Sequence, residues 1–578
     1  MLRKYFPILQ WLPSYKKRHL SGDISAGITV GIMLIPQGMA YALIAGLPPV
    51  YGLYAALVPN LMYAIFGSSR KLAVGPVALD SLILASGLAV MQLTSVEAYI
   101  GMALFIALLV GLLQLIMGVL KMGFLANFLS RPVVSGFTSA AALVIAVSQL
   151  KYLLGVTFES TGTLATLKTL WRHLPGTNFL DLSIGLVSIG IIVLLKRIHK
   201  KLPAAMVVVI LGILGIYFFS NQDTNVALLG TIPGGLPHFT MHSFQTPLWT
   251  LAFPTALVLA FISFAEAMTM AKAVEEKSNE YYTDANQELR ALGISNIIGS
   301  FFQSYPANAG FSRTAVNVGE GARTGLASMI SAGVVALTLL FLTSYFQFLP
   351  KAILGAIILV AVGGLVDLSY PKILFQRRKD EFVLLVLTFL TTLLIGISQG
   401  IIFGILFSLL LLVYRTSKPH FAVLGRIQGT DYFKNVNRFS KDIEIVEDIL
   451  VLRFDGQLYF VNIEYFKKEL YRNIATKGEA LKSIIINAEA INYMDSTAVR
   501  AVKQIVEDLR AQGIELYIAG AIGPIRDILH ISGLADLVGR DNFFVRTVEA
   551  FEYCKNKGPH TAIQRKISQE TQKRSSVT

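Results

Sequence analysis

Up to about residue 420 the chain is built from long apolar runs broken by short polar loops, and beyond it from short alternating and helical patterns. The runs cover 24–45, 53–66, 72–91, 100–119, 132–153, 182–195 and 204–219, then 251–271, 289–302, 311–318, 326–346, 353–366, 382–397 and 401–414. A helix needs about 20 apolar residues to cross a bilayer. Most runs qualify or nearly so, and a few are conspicuously short. The stretch 221–243 between the two sets is polar and rich in Gly and Pro and reads as an exposed loop. Past residue 441, strands are predicted at 448–454, 482–486 and 515–518. Val499, Val502, Ile505, Val506 and Leu509 recur at helical spacing, Gly513 supplies a stop, and 523–534 reads as another helix.

The pattern therefore predicts a polytopic helical membrane protein of about fourteen helices followed by an α/β domain. The expected parts are a cytoplasmic N-terminal segment 1–22, a transmembrane domain 23–418 with repeats at about 23–220 and 250–418, a linker 419–440, the α/β domain 441–557 and a disordered tail 558–578.

Composition agrees. Of 578 residues 54% are hydrophobic, mean hydropathy is +0.60, and charge is concentrated in the final quarter. The formal net charge of +14 does not signal nucleic-acid binding, because the basic residues sit in short loops between apolar runs. Arg70, Lys71, Lys121, Arg131, the cluster 196–201, Lys272, Lys277, Arg290, Arg323 and Arg377–Lys379 fall in every second loop. That is the positive-inside pattern, and it places both termini in the cytoplasm of a multi-pass cell (inner) membrane protein. Lys151, Lys168, Arg172 and Lys351 are exceptions on the other side. A single cysteine, Cys554, permits no intrachain disulfide, and residues 1–20 lack the signature of a cleavable signal.

Several polar residues lie at membrane depth. The first span carries Pro36 and Gln37, and the opening span of the second set carries Glu266; both spans are expected to break there. Two spans later each set has a short run with a Gly-containing break, Gly75-Pro76-Val77 in one and Gly310-Phe311-Ser312-Arg313 in the other. With seven spans per set the second copy is inverted, and paired interrupted segments are a sequence pointer to a transporter site. An arginine at that depth costs about 2.5–3.5 kcal/mol on insertion scales. Arg313 either joins an anion site at a helix start near Phe311 or snorkels to the headgroups.

Residues 49–70, PVYGLYAALVPNLMYAIFGSSR, resemble the signature of the SulP (solute carrier 26) anion transporter family, with Pro49, Tyr51, Gly52, Leu53, Tyr54, Tyr63, Gly67, Ser69 and Arg70 in register and Met62 a mild departure. Residues 284–304 and 306–316 also look like the family, and the tail resembles its STAS domain. The resemblance implies a seven-plus-seven inverted repeat with core and gate domains, usually in a homodimer. It implies a substrate site between the starts of the third and tenth spans, with the first and eighth alongside. On that reading Gln37 and Tyr41 flank the substrate, Val77 and Ala78 open one half-helix, and Phe311, Ser312 and Arg313 open the other. A glutamine beside a proline has a second use, since it can satisfy backbone that the proline frees.

Glu266 is the expected coupling residue, for a proton or for sodium. A static Glu266–Arg313 ion pair is the competing expectation, and the role of Asp80 is left open. Coupling has an energetic motive: against about 100 mV, inside negative, importing a dianion costs about 4.6 kcal/mol, at about 2.3 per charge. The predicted function is secondary active transport of a sulfate-like or other small anion by alternating access, without an enzymatic step or cofactor. Sodium-coupled bicarbonate or dicarboxylate transport and channel-like conduction are the alternatives. In the tail, Asp495-Ser496-Thr497 matches a turn that is phosphorylated in regulatory relatives, which would make Ser496 or Thr497 a regulatory site and imply a cytosolic partner; a plain helix cap is the simpler expectation.

Overall fold

The computed structural model describes residues 5–128, 130–158, 163–198, 203–219, 225–241, 249–278, 282–364, 366–439 and 443–556. The tail 558–578 and part of the basic cluster 196–201 lie outside them. Two compact units emerge, Met1–Ser408 and Leu409–Thr578.

The first set of apolar runs becomes α1 (Lys17–Ile44), α2 (Pro49–Phe66), α3 (Ala78–Val90), α4 (Val96–Val119), α5 (Arg131–Leu154), α6 (Thr163–His173), α7 (Phe179–Ile198) and α8 (Ala204–Phe219). The second becomes α9 (Trp249–Ser278), α10 (Ala285–Phe301), α11 (Phe311–Gly319), α12 (Leu326–Phe341), α13 (Lys351–Gly363), α14 (Ser369–Arg377), α15 (Lys379–Leu394) and α16 (Ile397–Ser417). Every expected span holds a helix. The two additions, α6 and α14, each follow the fifth spanning helix of their set, so the repeat extends to them.

Packing carries the same symmetry. Matching α1 with α9, α2 with α10, α3 with α11, α4 with α12, α5 with α13 and α7 with α15 relates four pairs of helix contacts. The pair α4–α10 becomes α12–α2, α1–α12 becomes α9–α4, α3–α9 becomes α11–α1, and α5–α15 becomes α13–α7. One bundle comprises α1–α4 with α9–α12, and another forms around α5, α7, α13 and α15. In the first bundle backbones meet closely: a Cβ added at Gly52 would collide with the Gly38 carbonyl, so α1 and α2 cross only because both positions are glycine.

Two expectations need correcting. Neither α1 nor α9 breaks. Pro36 and Pro254 sit inside continuous helices of 28 and 30 residues, and Glu266 lies mid-helix. Proline removes one donor and need not end a helix that its neighbours hold on both sides. In addition α1 starts at Lys17, inside the stretch expected as an N-terminal segment.

The second unit contains a seven-stranded mixed sheet of β3 (His420–Ile427), β4 (Phe433–Asn435), β5 (Ile443–Glu444), β6 (Ile449–Asp455), β7 (Ser483–Asn487), β8 (Glu515–Ala519) and β9 (Phe543–Phe544), in the order β4-β3-β6-β7-β8-β9 with β5 on β3. The expected linker 419–440 is therefore wrong: β3 pairs antiparallel with β6 from His420↔Asp455 to Leu424↔Val451 and belongs to the domain. From β6 to β9 the strands are parallel. Helices α17 (Ile463–Lys477), α18 (Ser496–Ala511), α19 (Gly523–Ile531) and α20 (Leu534–Val538) bury Phe466, Leu470, Val502, Ile505, Leu509 and Leu529 on one face. On the other face α21 (Thr547–Asn556) buries Phe551 and Cys554.

Candidate functional site

The site forms where the repeats' third helices begin. Val74–Gly75 (β1) and Asn308–Ala309 (β2) pair antiparallel, Val74 against Ala309 and Gly75 against Asn308. The chain then turns into α3 at Ala78 and α11 at Phe311, as the sequence predicts. Antiparallel pairing makes the two helices leave in opposite directions, so both N-termini, each worth roughly half a positive charge, point to one region.

Broken backbone at membrane depth needs partners, and the structure supplies them. The Asn296 amide accepts from Ala307 N at 2.8 Å and donates to Ala307 O at 3.2 Å, mimicking a strand. Gly310 N donates to Ala73 O at 3.1 Å, Ala73 N donates to Thr314 Oγ1 at 3.2 Å, and the Asn317 amide donates to Lys71 O at 2.8 Å. Neither helix start is treated this way. Val77 and Gly310 are the N-caps, and neither side chain caps its helix. The first-turn N–H groups are left to a ligand or water.

Arg313 lies third in α11 and is 1% exposed. Its Nη1 donates to Pro76 O at 2.9 Å, while Nε and Nη2 have no hydrogen-bond partner. The guanidinium lies over Gly310, where a Cβ would come within 2.6 Å of Cζ. It clamps one helix start to the other and does not snorkel. The expected Glu266–Arg313 ion pair is absent: among the described residues Arg313 has no carboxylate partner, and the hydroxyls of Tyr41 and Tyr305 are its electrostatic neighbours.

Glu266 instead accepts at Oε2 from Asn308 Nδ2, 3.3 Å away, and keeps partial access to the exterior. Asn308 Oδ1 accepts from Ala309 N at 2.8 Å, which aims the amide N–H groups away from its own strand. The same side chain interacts with Asp80, third in α3. Asp80 is 1% exposed, and its Oδ2 accepts from Ser263 Oγ at 3.0 Å. Ser81 and Tyr305 hydroxyls meet at 3.2 Å nearby.

Of the other expected residues, Gln37 is 7% exposed and its Oε1 has no hydrogen-bond partner. Tyr41 is buried four residues on. Val77 is half-buried, Ala78 buried, and Phe311 and Ser312 exposed. Asn308, Ser263 and Tyr305 are not reached by sequence reasoning; the polar Asn308, two residues before the Gly310 break, is the one signal that could have found any of them. In the second unit Asp495 caps α18 by accepting from Ala498 N at 2.8 Å and also accepts from Phe460 N at 2.9 Å. Ser496 and Thr497 are exposed beside it.

The architecture is that of a multi-pass membrane protein with an inverted repeat, crossed half-helices and an appended STAS-type domain. Comparison with known proteins assigns it further. The model of the sulfate permease family matches residues 20–388, and that of the STAS domain residues 440–550. The chain is 37% identical to sulfate transporter 4.1, chloroplastic, of Arabidopsis thaliana, over 95% of this chain and 82% of that protein. It is 29% identical to high affinity sulfate transporter 2 of Stylosanthes hamata, over 97% of this chain and 87% of that one. The structure of murine solute carrier 26 family member A9, an anion transporter in the inward-facing state, superposes with a TM-score of 0.90 at 26% identity, covering 96% of this chain and 94% of that chain. The transmembrane domain of the cyanobacterial bicarbonate transporter BicA shares the fold, with a TM-score of 0.60 at 21% identity over 68% of this chain and 98% of that one. The chain belongs to the sulfate permease (SulP) family.

Proposed function

We propose that this protein moves a sulfate-like dianion across a membrane by alternating access, together with a proton carried on Glu266. The observation that carries the reading is the convergence of two uncapped helix starts on a strand pair whose Asn308 also holds Glu266. Six first-turn N–H groups, the Arg313 donors that Pro76 leaves free, and Gln37 together suit a small tetrahedral oxyanion. Phe311 and Ser312, exposed at the start of α11, form the accessible lip. Relatives named as sulfate transporters favour sulfate over bicarbonate or dicarboxylates.

The bundle of α1–α4 and α9–α12 carries the site, and the α5, α7, α13, α15 bundle is the gate it moves against. Transport occurs in a homodimer with both termini cytoplasmic, the orientation that the basic loops favour. Glu266 is partly accessible and off Arg313, so a proton can join or leave it without breaking an ion pair. Binding that proton offsets one charge of the dianion.

Uptake of labelled sulfate into proteoliposomes, driven separately by an inward proton gradient and an inward sodium gradient, tests this. The proton gradient alone should accelerate uptake several-fold, and Glu266→Gln should abolish that response while sulfate–sulfate exchange persists. Acceleration by sodium alone, or an unchanged proton response in Glu266→Gln, would refute proton coupling. Preference for bicarbonate over sulfate in competition would refute the substrate.

A further inference from the structure

Asp80 is the one acid in α3, and its surroundings are not those of a helix-capping group. An acid third in a helix commonly reaches back to the N-cap N–H. Asp80 turns instead toward α9, takes Ser263 Oγ at 3.0 Å, and shares the Asn308 side chain with Glu266. Two carboxyl groups thus flank one amide at the crossing point. They lie close enough to act on one another electrostatically. A second observation is independent of that closeness. Asp80 is 1% exposed, yet its Oδ1 is buried without any hydrogen-bond partner. A buried carboxylate oxygen that lacks a donor has lost its water without replacement and destabilises the site. What the oxygen lacks is a proton donor, and the carboxyl of Glu266, which shares Asn308 with Asp80, becomes one when it is protonated.

We propose that Asp80 and Glu266 form a two-carboxyl proton site, holding one proton between them in the empty transporter and taking a second when the anion binds. The inference rests on the proton-coupled reading of Glu266. Like charges confined to one buried site do not both stay ionised. In the empty state the pair carries one negative charge, which Arg313 balances. The second proton comes from the aqueous side to which the site is open and leaves the site with one net positive charge, offsetting half of a bound dianion. After the site opens to the other side, anion and proton depart together and the shared proton stays.

The other groups around the pair fit this account. From α1 comes Tyr41, from the segment before β2 comes Tyr305, and from α11 comes Arg313. Helices α4 and α10, which also pack near α9, present Gln114 and Asn296 at this level, bonded to each other at 3.3 Å. Glu288 of α10 is occupied elsewhere by Tyr63, Ser68 and Ser69. Glu97 and Lys151 lie at the far ends of α4 and α5. Among the described residues, then, Arg313 is the one fixed charge near the pair.

The test is the pH dependence of labelled sulfate uptake by the full-length protein in proteoliposomes, with exchange at matched pH as a control for folding. In the shared site one proton is already held when the cycling proton binds, and the hydrogen bond between the two carboxyls stabilises the singly protonated pair against taking it. Asp80→Asn removes that bond and should therefore keep proton-driven uptake but move its half-maximal pH toward alkaline by about one unit or more. Asp80→Glu should hold the wild-type midpoint. A slower Asp80→Asn variant with an unmoved midpoint would overturn the shared site while leaving Glu266 coupling intact. Wild-type uptake indifferent to a proton gradient would overturn the coupling itself. Infrared titration of the purified chain gives a second readout that needs no transport. The carboxylic C=O stretch of one protonated carboxyl should persist at neutral pH in the wild type and vanish in Asp80→Asn. Its persistence in that variant would also overturn the proposal.

Discussion

The starts of α3 and α11 are one backbone device built twice. Each follows a two-residue strand, each lacks a side-chain cap, and each opens on an apolar residue, Ala78 or Phe311. They differ most at the third helical position, where α3 carries Asp80 and α11 carries Arg313. The helix dipole favours the acid there by about 0.3–1 kcal/mol and disfavours the base by a similar amount. Asp80 therefore agrees with its helix, whereas Arg313 opposes its own and is buried as well. A residue that breaks two local rules at once is held for what it does. The comparison separates shared backbone, which can grip an anion in either half, from side chains that give one half a positive clamp and the other a carboxyl.

The largest effect should come from the clamp. Arg313→Ala leaves Pro76 O buried without its donor, removes the fixed positive charge and frees the two helix starts from each other. Sulfate uptake should fall by at least about 100-fold, a loss of about 3 kcal/mol or more, while detergent-solubilised protein keeps a cooperative thermal transition only a few degrees lower. Uptake within about threefold of wild type would mean that backbone alone makes the site and that the two halves are functionally alike.

How this asymmetry was read from sequence shows what a sequence reveals. The spans, their seven-plus-seven grouping and the first residues of α3 and α11 were all legible. Each depends on local signals: apolar run length, a glycine or proline before a helix, and loop charge. Partner choice was not legible. Glu266 and Arg313 are opposite charges at similar depth, which makes a pair a reasonable expectation. The structure turns Arg313 over Gly310 to a carbonyl and gives Glu266 to Asn308. That outcome is set by the close approach of two strands distant in sequence. The proline in α1 misled for a related reason, since local propensity signals a break that packing on every side forestalls. Strand β3 was overlooked although Phe421–Leu424 is an apolar run, because four apolar residues between polar neighbours are too short a pattern to tell a strand from a linker.

A smaller effect is expected where the clamp is displaced and not deleted. Gly310→Ala places a Cβ within 2.6 Å of Arg313 Cζ, so the guanidinium must swing off Pro76. The charge stays in the site but its anchor is lost. Uptake should fall by about tenfold, between wild type and Arg313→Ala, with the maximal rate more affected than the half-saturating concentration. A loss as complete as that of Arg313→Ala would show that the position of the charge matters as much as its presence.

The smallest effect isolates the second helical position, Leu79 in α3 and Ser312 in α11. If first-turn N–H groups hold the anion, the Ser312 hydroxyl adds one hydrogen bond to a charged ligand and nothing structural, because it is exposed and caps nothing. Such a bond contributes about 1.5–3 kcal/mol when fully buried and less where water competes, as at this lip. Ser312→Ala should raise the half-saturating sulfate concentration about three- to tenfold, with the maximal rate and the pH profile unchanged. A loss of more than about 100-fold would make the hydroxyl, and not the backbone, the principal contact. The α11 start would then be the site, and the α3 start, which has leucine at this place, would serve chiefly as the surface against which Arg313 is braced.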